Sequence, residues 1–158
     1  MTDEQFGKLY DKYSKTVFRV AYQYLMSRDG AEDIVQEVFL KLYTKAPSFR
    51  DSEHEKAWLL RVAVNLCINY KKAKNNNLLA INEEIELSDN SFEGKATAKL
   101  DIERELKRLA PAQRAAVYLY YYEGYSVKEI SKLMKMKEST VKSHLKRARD
   151  NMKVNLEG

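Results

Sequence analysis

Apolar side chains recur at steps of three and four residues along most of this chain. In the first stretch they are Phe6, Leu9, Tyr13, Val17, Ala21, Tyr24 and Leu25. Because an α-helix has about 3.6 residues per turn, this spacing places them on one face, which has to pack against another helix. The 158 residues include only 5 Gly and 2 Pro. The sequence therefore predicts an all-α protein.

Three helices are expected before residue 75. Thr2 and Gln5 match a capping box at the start of the first helix. The segment 27–30 separates it from a second helix, which is expected to end before Pro47. The apolar face of this second helix is formed by Ile34, Val35, Val38, Phe39 and Leu42.

A loop over residues 47–51 is expected to lead into the third helix. Ser52 and Glu55 have the spacing of a second capping box and are expected to cap its start. The buried face that the periodicity predicts for this helix consists of Leu59, Val62, Ala63, Leu66 and Tyr70.

The periodicity stops after Lys74 and returns near Leu100. The stretch between them begins with three asparagines and continues with an acidic, aperiodic run at 82–93, which is typical of a linker. We therefore expect two small helical domains joined by a flexible linker. Their boundaries are 1–74 for the first domain, 75–96 for the linker and 97–158 for the second domain.

The second domain is expected to contain a helix-turn-helix. Periodicity restarts at Pro111 and stops at Gly124, and Ser126 with Glu129 matches another capping box. Two short helices follow, separated by a turn at 135–137. In such a unit the second helix can enter the major groove of DNA.

The final helix has a polar, basic outer face. Its inward side chains are Val141, Leu145 and Ala148, and its outward ones are Glu138, Ser139, Thr140, Lys142, Ser143, Lys146, Arg147 and Arg149. Nine Lys or Arg between residues 127 and 153 stand against three acidic residues, in a chain of net charge +5. The alternative is an ordinary solvated helix face, but the whole set favours contacts to bases and phosphates.

Two other helix faces are unusual. On the second helix, Leu40 lies among polar residues, namely Asp33, Gln36, Glu37, Lys41 and Thr44. It is either a docking point for another protein or a singly exposed apolar residue, which is common. On the third helix the outer face combines aromatic, amide and basic side chains: Trp58, Arg61, Asn65, Ile68, Asn69 and Lys72.

The outer face of the third helix suits unpaired bases, which stack on aromatic rings and expose their edges to amides. The alternative has Trp58 packed under the preceding loop and the asparagines solvated. Spacing alone does not decide between them.

Composition argues against several classes of protein. The lone Cys67 cannot form an intramolecular disulfide, and two His with one Cys are too few for a zinc-ligand set, so neither metal nor cofactor is expected. No stretch approaches the ~20 apolar residues of a membrane helix, and the N-terminus lacks a signal peptide pattern. We expect a cytoplasmic protein that does not insert into a membrane.

Three segments resemble the extracytoplasmic-function (ECF) group of the sigma-70 family. They are Ala31–Phe39 (AEDIVQEVF), Ala57–Asn65 (AWLLRVAVN) and Val127–Arg149. The resemblance covers nearly the whole chain apart from the linker. It implies an RNA polymerase sigma factor that binds core polymerase, recognises minus-35 and minus-10 promoter elements and promotes DNA melting.

The resemblance assigns roles to the first domain. The second helix would contact the clamp helices of the polymerase beta-prime subunit through Asp33, Gln36, Glu37, Leu40 and Lys41. The loop at 48–53 and the third helix would bind the melted minus-10 strand, with Asn65 beside a flipped base. The other minus-10 contacts would be Trp58, Arg61, Asn69, Lys71 and Lys72.

The resemblance also assigns roles to the second domain, for which the beta flap would be the polymerase contact. The last helix would read minus-35 duplex DNA through Glu138, Ser139, Thr140, Lys142, Ser143, Lys146 and Arg147. The linker would thread near the RNA exit path, and an anti-sigma factor is an implied partner. Lys135 stands where the family has glycine, so a left-handed conformation costing about 1 kcal/mol is expected there. Lys137 and Ser139 also depart from the family pattern.

The main alternative is a conventional regulator, and a third function is only weakly indicated. A conventional helix-turn-helix regulator would bind a specific duplex without polymerase, with the first domain as an effector or dimerisation module. An enzyme acting on nucleic acid is not supported, since the sequence has no paired carboxylates with a basic partner, no Gly-rich phosphate loop and no nucleophile with a base. We therefore expect that the chain is not an enzyme and that catalysis belongs to polymerase.

Overall fold

A computed structural model describes residues 1–77 and 104–157, with side chains for residues 1–74 and 104–151. These residues contain no β-strand, and the all-α expectation is confirmed. Six helices are numbered in the described ranges, and a further helical turn at 104–107 precedes the fourth of them. The helices are α1 (Asp3–Leu25), α2 (Arg28–Lys45), α3 (Ser52–Asn77), α4 (Pro111–Tyr121), α5 (Val127–Met134) and α6 (Glu138–Glu157). Most of the expected linker lies outside the described residues; its first three residues extend α3.

The capping box of α1 forms as predicted. Gln5 N donates to Thr2 Oγ1 at 3.1 Å, and Thr2 N donates to Gln5 Oε1 at 3.0 Å. Helix α2 begins after Ser27, whose hydroxyl accepts from Gly30 N at 3.0 Å, and it ends at Lys45, ahead of Pro47. Its predicted apolar face is buried in full.

The predicted cap of α3 is wrong. Asp51 caps this helix, because its Oδ1 accepts from His54 N at 2.8 Å and its carbonyl accepts from Glu55 N at 3.1 Å. Ser52 is already the first helical residue. Glu55 turns towards α1 instead, where the Tyr13 hydroxyl donates to its Oε1 at 2.9 Å. The first N–H groups of a helix lack partners within the helix, and a capping side chain normally accepts from them. Asp51, one residue before the predicted cap, does so here.

The buried face of α3 is also wider than predicted and rotated. Val62, Leu66 and Tyr70 are only half-buried. The fully buried positions are Leu59, Leu60, Ala63, Val64 and Cys67. Helix α3 packs against α1, α2 and α5, so more than one side of it is in contact with other helices. A single-stripe pattern holds only for a helix with one buried side.

The C-terminal helices form the predicted helix-turn-helix. Pro111 starts α4, and Gly124 has a positive φ of 77° after its end. The Ser126–Glu129 capping box of α5 forms, with 3.1 Å from Glu129 N to Ser126 Oγ and 2.8 Å from Ser126 N to Glu129 Oε1. Lys135 ends α5 with φ 56° and ψ 49°, the left-handed conformation expected there.

The two groups of helices pack against each other. Helix α4 lies on α1, and α5 lies on α3. Buried apolar side chains from both groups form one continuous cluster, which includes Val17 of α1, Leu59 of α3, Leu119 of α4 and Ile130 of α5. The described residues thus form one body with a seam between the two groups.

Candidate functional site

Helix α6 exposes the polar face that the sequence predicts. Val141, Leu145 and Ala148 are buried against the rest of the protein. Of the seven predicted minus-35 residues, Thr140 is half-buried, and the exposed ones are Glu138, Ser139, Lys142, Ser143, Lys146 and Arg147. The structure therefore brings these side chains together on one side of one helix. Such a face can offer hydrogen bonds to base edges and charge to phosphates.

Neighbouring side chains modify this face. Lys146 Nζ lies 2.9 Å from Asp150 Oδ2, an exposed ion pair along the helix. Arg149 points towards α4, where its Nη1 donates to the Tyr121 hydroxyl at 3.4 Å. Burial and, to a smaller extent, the charge of Arg147 lower the pKa of His144, which favours a neutral imidazole. Arg149 is thus held towards the protein, while Lys146 lies at the surface beside Asp150.

The turn before α6 is closed by backbone groups. Met136 N donates to the Ser131 carbonyl at 3.1 Å, and Val141 N donates to the Lys137 carbonyl at 3.1 Å. Lys137 is the residue before α6, a position at which the family more often has a capping serine. Its backbone carbonyl is the group that accepts from Val141 N. The departures from the family pattern at Lys135 and Lys137 are therefore compatible with a closed helix-turn-helix.

Helix α2 presents an apolar side chain within an acidic face. Leu40 is 63% exposed, and Asp33, Gln36 and Glu37 are exposed beside it, while Lys41 is half-buried. Tyr43, one turn further along, is 49% exposed and extends the apolar surface. Sequence reasoning missed Tyr43, although its position three residues after Leu40 was an available signal. This surface can dock a protein that offers both apolar and basic groups.

The outer face of α3 is basic and amide-rich, as predicted. Arg61, Asn69 and Lys72 are exposed, and Asn65 and Lys71 are half-buried. Trp58 is half-buried, and its ring meets Phe49 edge to face with the ring centroids 5.9 Å apart. This contact agrees with the alternative interpretation of the sequence, in which Trp58 packs under the loop that precedes α3. The face still provides cations and amides along about three turns of helix, from Arg61 to Lys72.

A cleft of about 540 Å³ runs between α3 and the second group of helices. On one side it is lined by Arg50, His54, Lys56 and Arg61, and on the other by Glu123, Glu129 and Lys132. Lys56 and Glu123 form an ion pair across it, which no sequence pattern predicted. Asp51 and Glu53 also line the α3 side, so both sides of the cleft carry acidic as well as basic side chains.

Neither a metal centre nor a membrane span is found in the described residues. Over 1–77 and 104–157, no three His, Cys, Asp or Glu side chains are grouped to hold a metal ion. Within the same ranges, every helix is too short or too polar to cross a bilayer.

Comparison with known proteins identifies the family. Sigma-70 region 2 matches residues 9–76, and Sigma-70 region 4 matches residues 99–152. The ECF RNA polymerase sigma factor SigM of Bacillus subtilis is 30% identical over 152 residues, which cover 92% of this chain and 91% of SigM. The chain belongs to the ECF RNA polymerase sigma factors.

Other relatives agree with this sigma factor assignment. The ECF sigma factor SigM of Mycobacterium tuberculosis is 28% identical over 145 residues, 91% of this chain and 73% of that protein. The solved complex of sigma factor RpoE with anti-sigma factor NepR from Bartonella quintana has the same fold, with a TM-score of 0.75, 22% identity and 98% of both chains covered. The solved complex of CnrH with the cytosolic domain of CnrY gives a TM-score of 0.65 at 19% identity, over 99% of this chain and 90% of that one.

The family matches divide this sigma factor at the seam seen in the structure. The region 2 match covers most of α1 to α3, and the region 4 match covers α4, α5 and most of α6. We use "region 2" for α1–α3 and "region 4" for α4–α6 below. As an RNA polymerase sigma factor, the protein serves in promoter recognition and transcription initiation.

Proposed function

We propose that this sigma factor uses three separate surfaces: α2 for core polymerase, α3 with its preceding loop for the melted minus-10 strand, and α6 for minus-35 duplex. The observation that carries this proposal is the outer face of α6, where basic and hydroxyl side chains stay exposed while the opposite face is fully buried. The domain boundaries that go with it are 1–74 and 97–158, with the linker between them.

The α2 surface suits the clamp helices of the beta-prime subunit. Leu40 and Tyr43 supply apolar area, and Asp33, Gln36 and Glu37 supply polar and acidic groups around it. Exposed apolar residues that are ringed by charges are typical of protein docking points. Lys41 is half-buried and would contribute at the edge of this contact. The beta flap is proposed as the polymerase contact of region 4.

The α3 surface suits a single DNA strand. Arg61 and Lys72 are exposed and can pair with phosphates, and Asn69 and Asn65 offer both donors and acceptors to base edges. Lys71 would contribute from its half-buried position. Trp58, packed on Phe49, would meet the strand with its remaining exposed surface and would also support the loop at 48–53. Capture of a flipped base beside Asn65 would hold the DNA bubble open.

The α6 surface suits duplex DNA in the major groove. Lys142, Lys146 and Arg147 provide cations, and the Lys146–Asp150 pair, being exposed, can yield to a phosphate at little cost. Glu138, Ser139, Thr140 and Ser143 lie in the N-terminal half of the helix, the part that reaches base edges in a helix-turn-helix. Direct base contacts there would set which minus-35 sequence is read.

We further propose an anti-sigma partner, a cytoplasmic location and no enzymatic activity of the chain itself. The anti-sigma proposal is supported by the solved RpoE structure, in which a sigma factor of the same fold is bound by the anti-sigma factor NepR. Catalysis of RNA synthesis would belong to polymerase, and no metal or cofactor is proposed for this chain.

Run-off transcription tests the proposal. Purified core polymerase is given sheared DNA from the source organism, with and without the protein. Discrete transcripts that need the protein are expected, and Asp33→Ala with Leu40→Ala should reduce them about tenfold by weakening polymerase binding. Lys15→Ala, an exposed change on α1, serves as the matched control and should leave them unchanged.

The opposite outcome would favour a conventional regulator. If no transcript depends on the protein while a specific duplex is retained without polymerase, the roles assigned to α2 and α3 are wrong.

A further inference from the structure

His54 closes the turn that leads into α3. Its backbone N donates to Asp51 Oδ1 at 2.8 Å, and its ring Nδ1 accepts from Arg50 N at 3.1 Å. In an ordinary capping box, a glutamate or glutamine at the third helical position accepts from the N–H of the capping residue. His54 occupies this third position, but it accepts from the N–H of the residue before the cap. The two bonds therefore join the loop at 48–53 to α3 in both directions.

Aromatic packing holds the same loop. The ring of Phe49 meets the ring of His54 edge to face, with centroids 5.3 Å apart and planes at 89°. Phe49 also meets Trp58, which lies one turn further along α3, with centroids 5.9 Å apart. All three rings are half-buried. The chain from Phe49 to Asp51 is thus held against α3 by two hydrogen bonds and by ring packing.

The bond from Arg50 determines the state of the His54 ring. An imidazole nitrogen that accepts a hydrogen bond carries no hydrogen, so the ring is neutral with its hydrogen on Nε2. His54 therefore brings an acceptor to the loop and no charge. Removal of Nδ1 would leave the Arg50 N–H without this acceptor.

Arg50 is the cation whose position depends on this bond. Its side chain is exposed on the loop that is proposed to bind the melted strand. It lines the same cleft as Arg61, which is one of the proposed minus-10 residues on α3. A guanidinium can donate to two phosphate oxygens at once, so its direction matters more than that of an ammonium. Sequence reasoning did not include Arg50 or His54 among the site residues.

We propose that Arg50 is a further contact to the backbone of the melted minus-10 strand and that His54 is the positioning residue that directs it. The proposal rests on the minus-10 role proposed above for α3 and its preceding loop. The His54 bond fixes the backbone at Arg50 before DNA arrives. A side chain that starts from a fixed backbone loses less conformational freedom on binding, and this raises affinity.

Two substitutions of His54 separate positioning from helix propensity. His54→Asn keeps an acceptor oxygen near the place of Nδ1, whereas His54→Ala removes the acceptor. Alanine is the better helix former, so propensity alone would favour the alanine variant. Positioning predicts the opposite order. We expect His54→Asn to bind the melted strand within about twofold of wild type and His54→Ala about fivefold more weakly, the effect of one hydrogen bond.

The binding assay uses core polymerase assembled with this sigma factor. The probe is a fork-junction DNA made from a promoter that the run-off assay identifies. It is double-stranded through the minus-35 element and carries the non-template strand alone over the minus-10 element. Fluorescence anisotropy measures its dissociation constant over a range of salt concentrations.

The salt dependence shows whether the effect passes through Arg50. Loss of one contact to a single-strand phosphate makes the slope of log K against log salt shallower by about 0.7. Arg50→Ala should show this change in full, and His54→Ala should show part of it although His54 carries no charge. His54→Asn should keep the wild-type slope, as should the control Lys15→Ala, an exposed cation of α1. Addition of His54→Ala to Arg50→Ala should weaken binding little further, since both act on one contact.

Amide hydrogen exchange reports the positioning bond without DNA. The Arg50 N–H should exchange slowly in the wild type and in His54→Asn, and about fivefold faster in His54→Ala. Nuclear magnetic resonance of the labelled protein measures this rate. The Gln5 N–H, which donates to Thr2 Oγ1 in the capping box of α1, is the internal control and should exchange equally in all variants.

Three results would overturn the proposal. The first is a wild-type salt slope for Arg50→Ala, and the second is equal Arg50 exchange in all three proteins. The third is an equal loss of binding in His54→Ala and His54→Asn with a wild-type slope in both, because the ring would then contact the strand itself. If His54→Ala fails to fold by circular dichroism, Arg50→Ala and His54→Asn decide. Failure of the proposed function is distinguishable, since the wild-type complex would then direct no transcript.

Discussion

The Tyr13 hydroxyl donates a hydrogen bond to Glu55 Oε1 at 2.9 Å and ties the middle of α1 to the first turn of α3. The same hydroxyl lies 3.2 Å from the Ser52 carbonyl, and Lys12 Nζ donates to Ser52 Oγ at 3.1 Å. These contacts fix where α3 begins. They therefore also fix where the loop at 48–53 joins this helix. A residue of the core thus positions a loop that is proposed to bind DNA.

Tyr13→Phe tests this tie. Removal of the hydroxyl keeps the ring in the core but loses the hydrogen bond to Glu55, which should lower the free energy of unfolding by about 1 kcal/mol. Urea unfolding measures this loss. Open-complex yield should fall as well, because the loop start is less well fixed. Tyr10→Phe is the control, since Tyr10 is 42% exposed, and it should change neither quantity. An equal loss in both variants would contradict the assigned role of Tyr13.

The rotated face of α3 gives a second prediction. Leu60→Ala should lower the free energy of unfolding by about 2–5 kcal/mol, because Leu60 is fully buried. Leu66→Ala, the same change at a half-buried position of the same helix, should cost clearly less. Chemical denaturation of both variants checks the order. A larger loss for Leu66→Ala than for Leu60→Ala would support the single apolar stripe that the sequence suggested.

Asn65→Ala tests base capture on α3. The variant should lower open-complex yield about three- to tenfold, the range expected for loss of a hydrogen bond that forms only with the flipped base. Binding of the closed duplex promoter by the polymerase complex should stay unchanged. Permanganate reactivity of unpaired thymines measures opening. Asn151→Ala, on the exposed side of α6, is the matched control. An unaltered open-complex yield would move the base contact elsewhere.

Lys146→Ala tests the groove contact of α6. If Lys146 pairs with one phosphate, the slope of log K against log salt for minus-35 duplex binding should become shallower by about 0.9. Affinity should fall across all sequences, since a phosphate contact carries no base information. Lys15→Ala, on α1, should keep the wild-type slope. A wild-type slope for Lys146→Ala as well would place the phosphate contact at another side chain.

The parts of the structure that could be predicted are those that depend on a single buried side or on local geometry. Helix α2 buries one side only, so the spacing of Ile34, Val38 and Leu42 gave its core face correctly. The left-handed Lys135 could be predicted because it stands in the helix-turn-helix turn where the family usually has glycine. Leu40 was recognised as exposed because its neighbours on the helix are polar.

Other parts depend on neighbours that are distant in sequence. The buried face of α3 was misjudged because α1, α2 and α5 all pack against this helix, whereas a single stripe describes one buried side. The sequence did not indicate the contacts that Arg114 of α4 makes with α1. Its guanidinium donates to the backbone carbonyls of Gln23 and Tyr24, which any residue type would provide. The Lys56–Glu123 pair joins separate domains, and periodicity carries no information about that contact.

The burial of Cys67 has a consequence for stress responses. A thiol with a pKa near 12 is almost entirely protonated at neutral pH, and the thiolate is the form that oxidants attack. The sulfur is also shielded from solvent inside region 2. A peroxide or electrophile would therefore leave the folded chain unmodified at this position, so its single cysteine is not a sensor of such compounds.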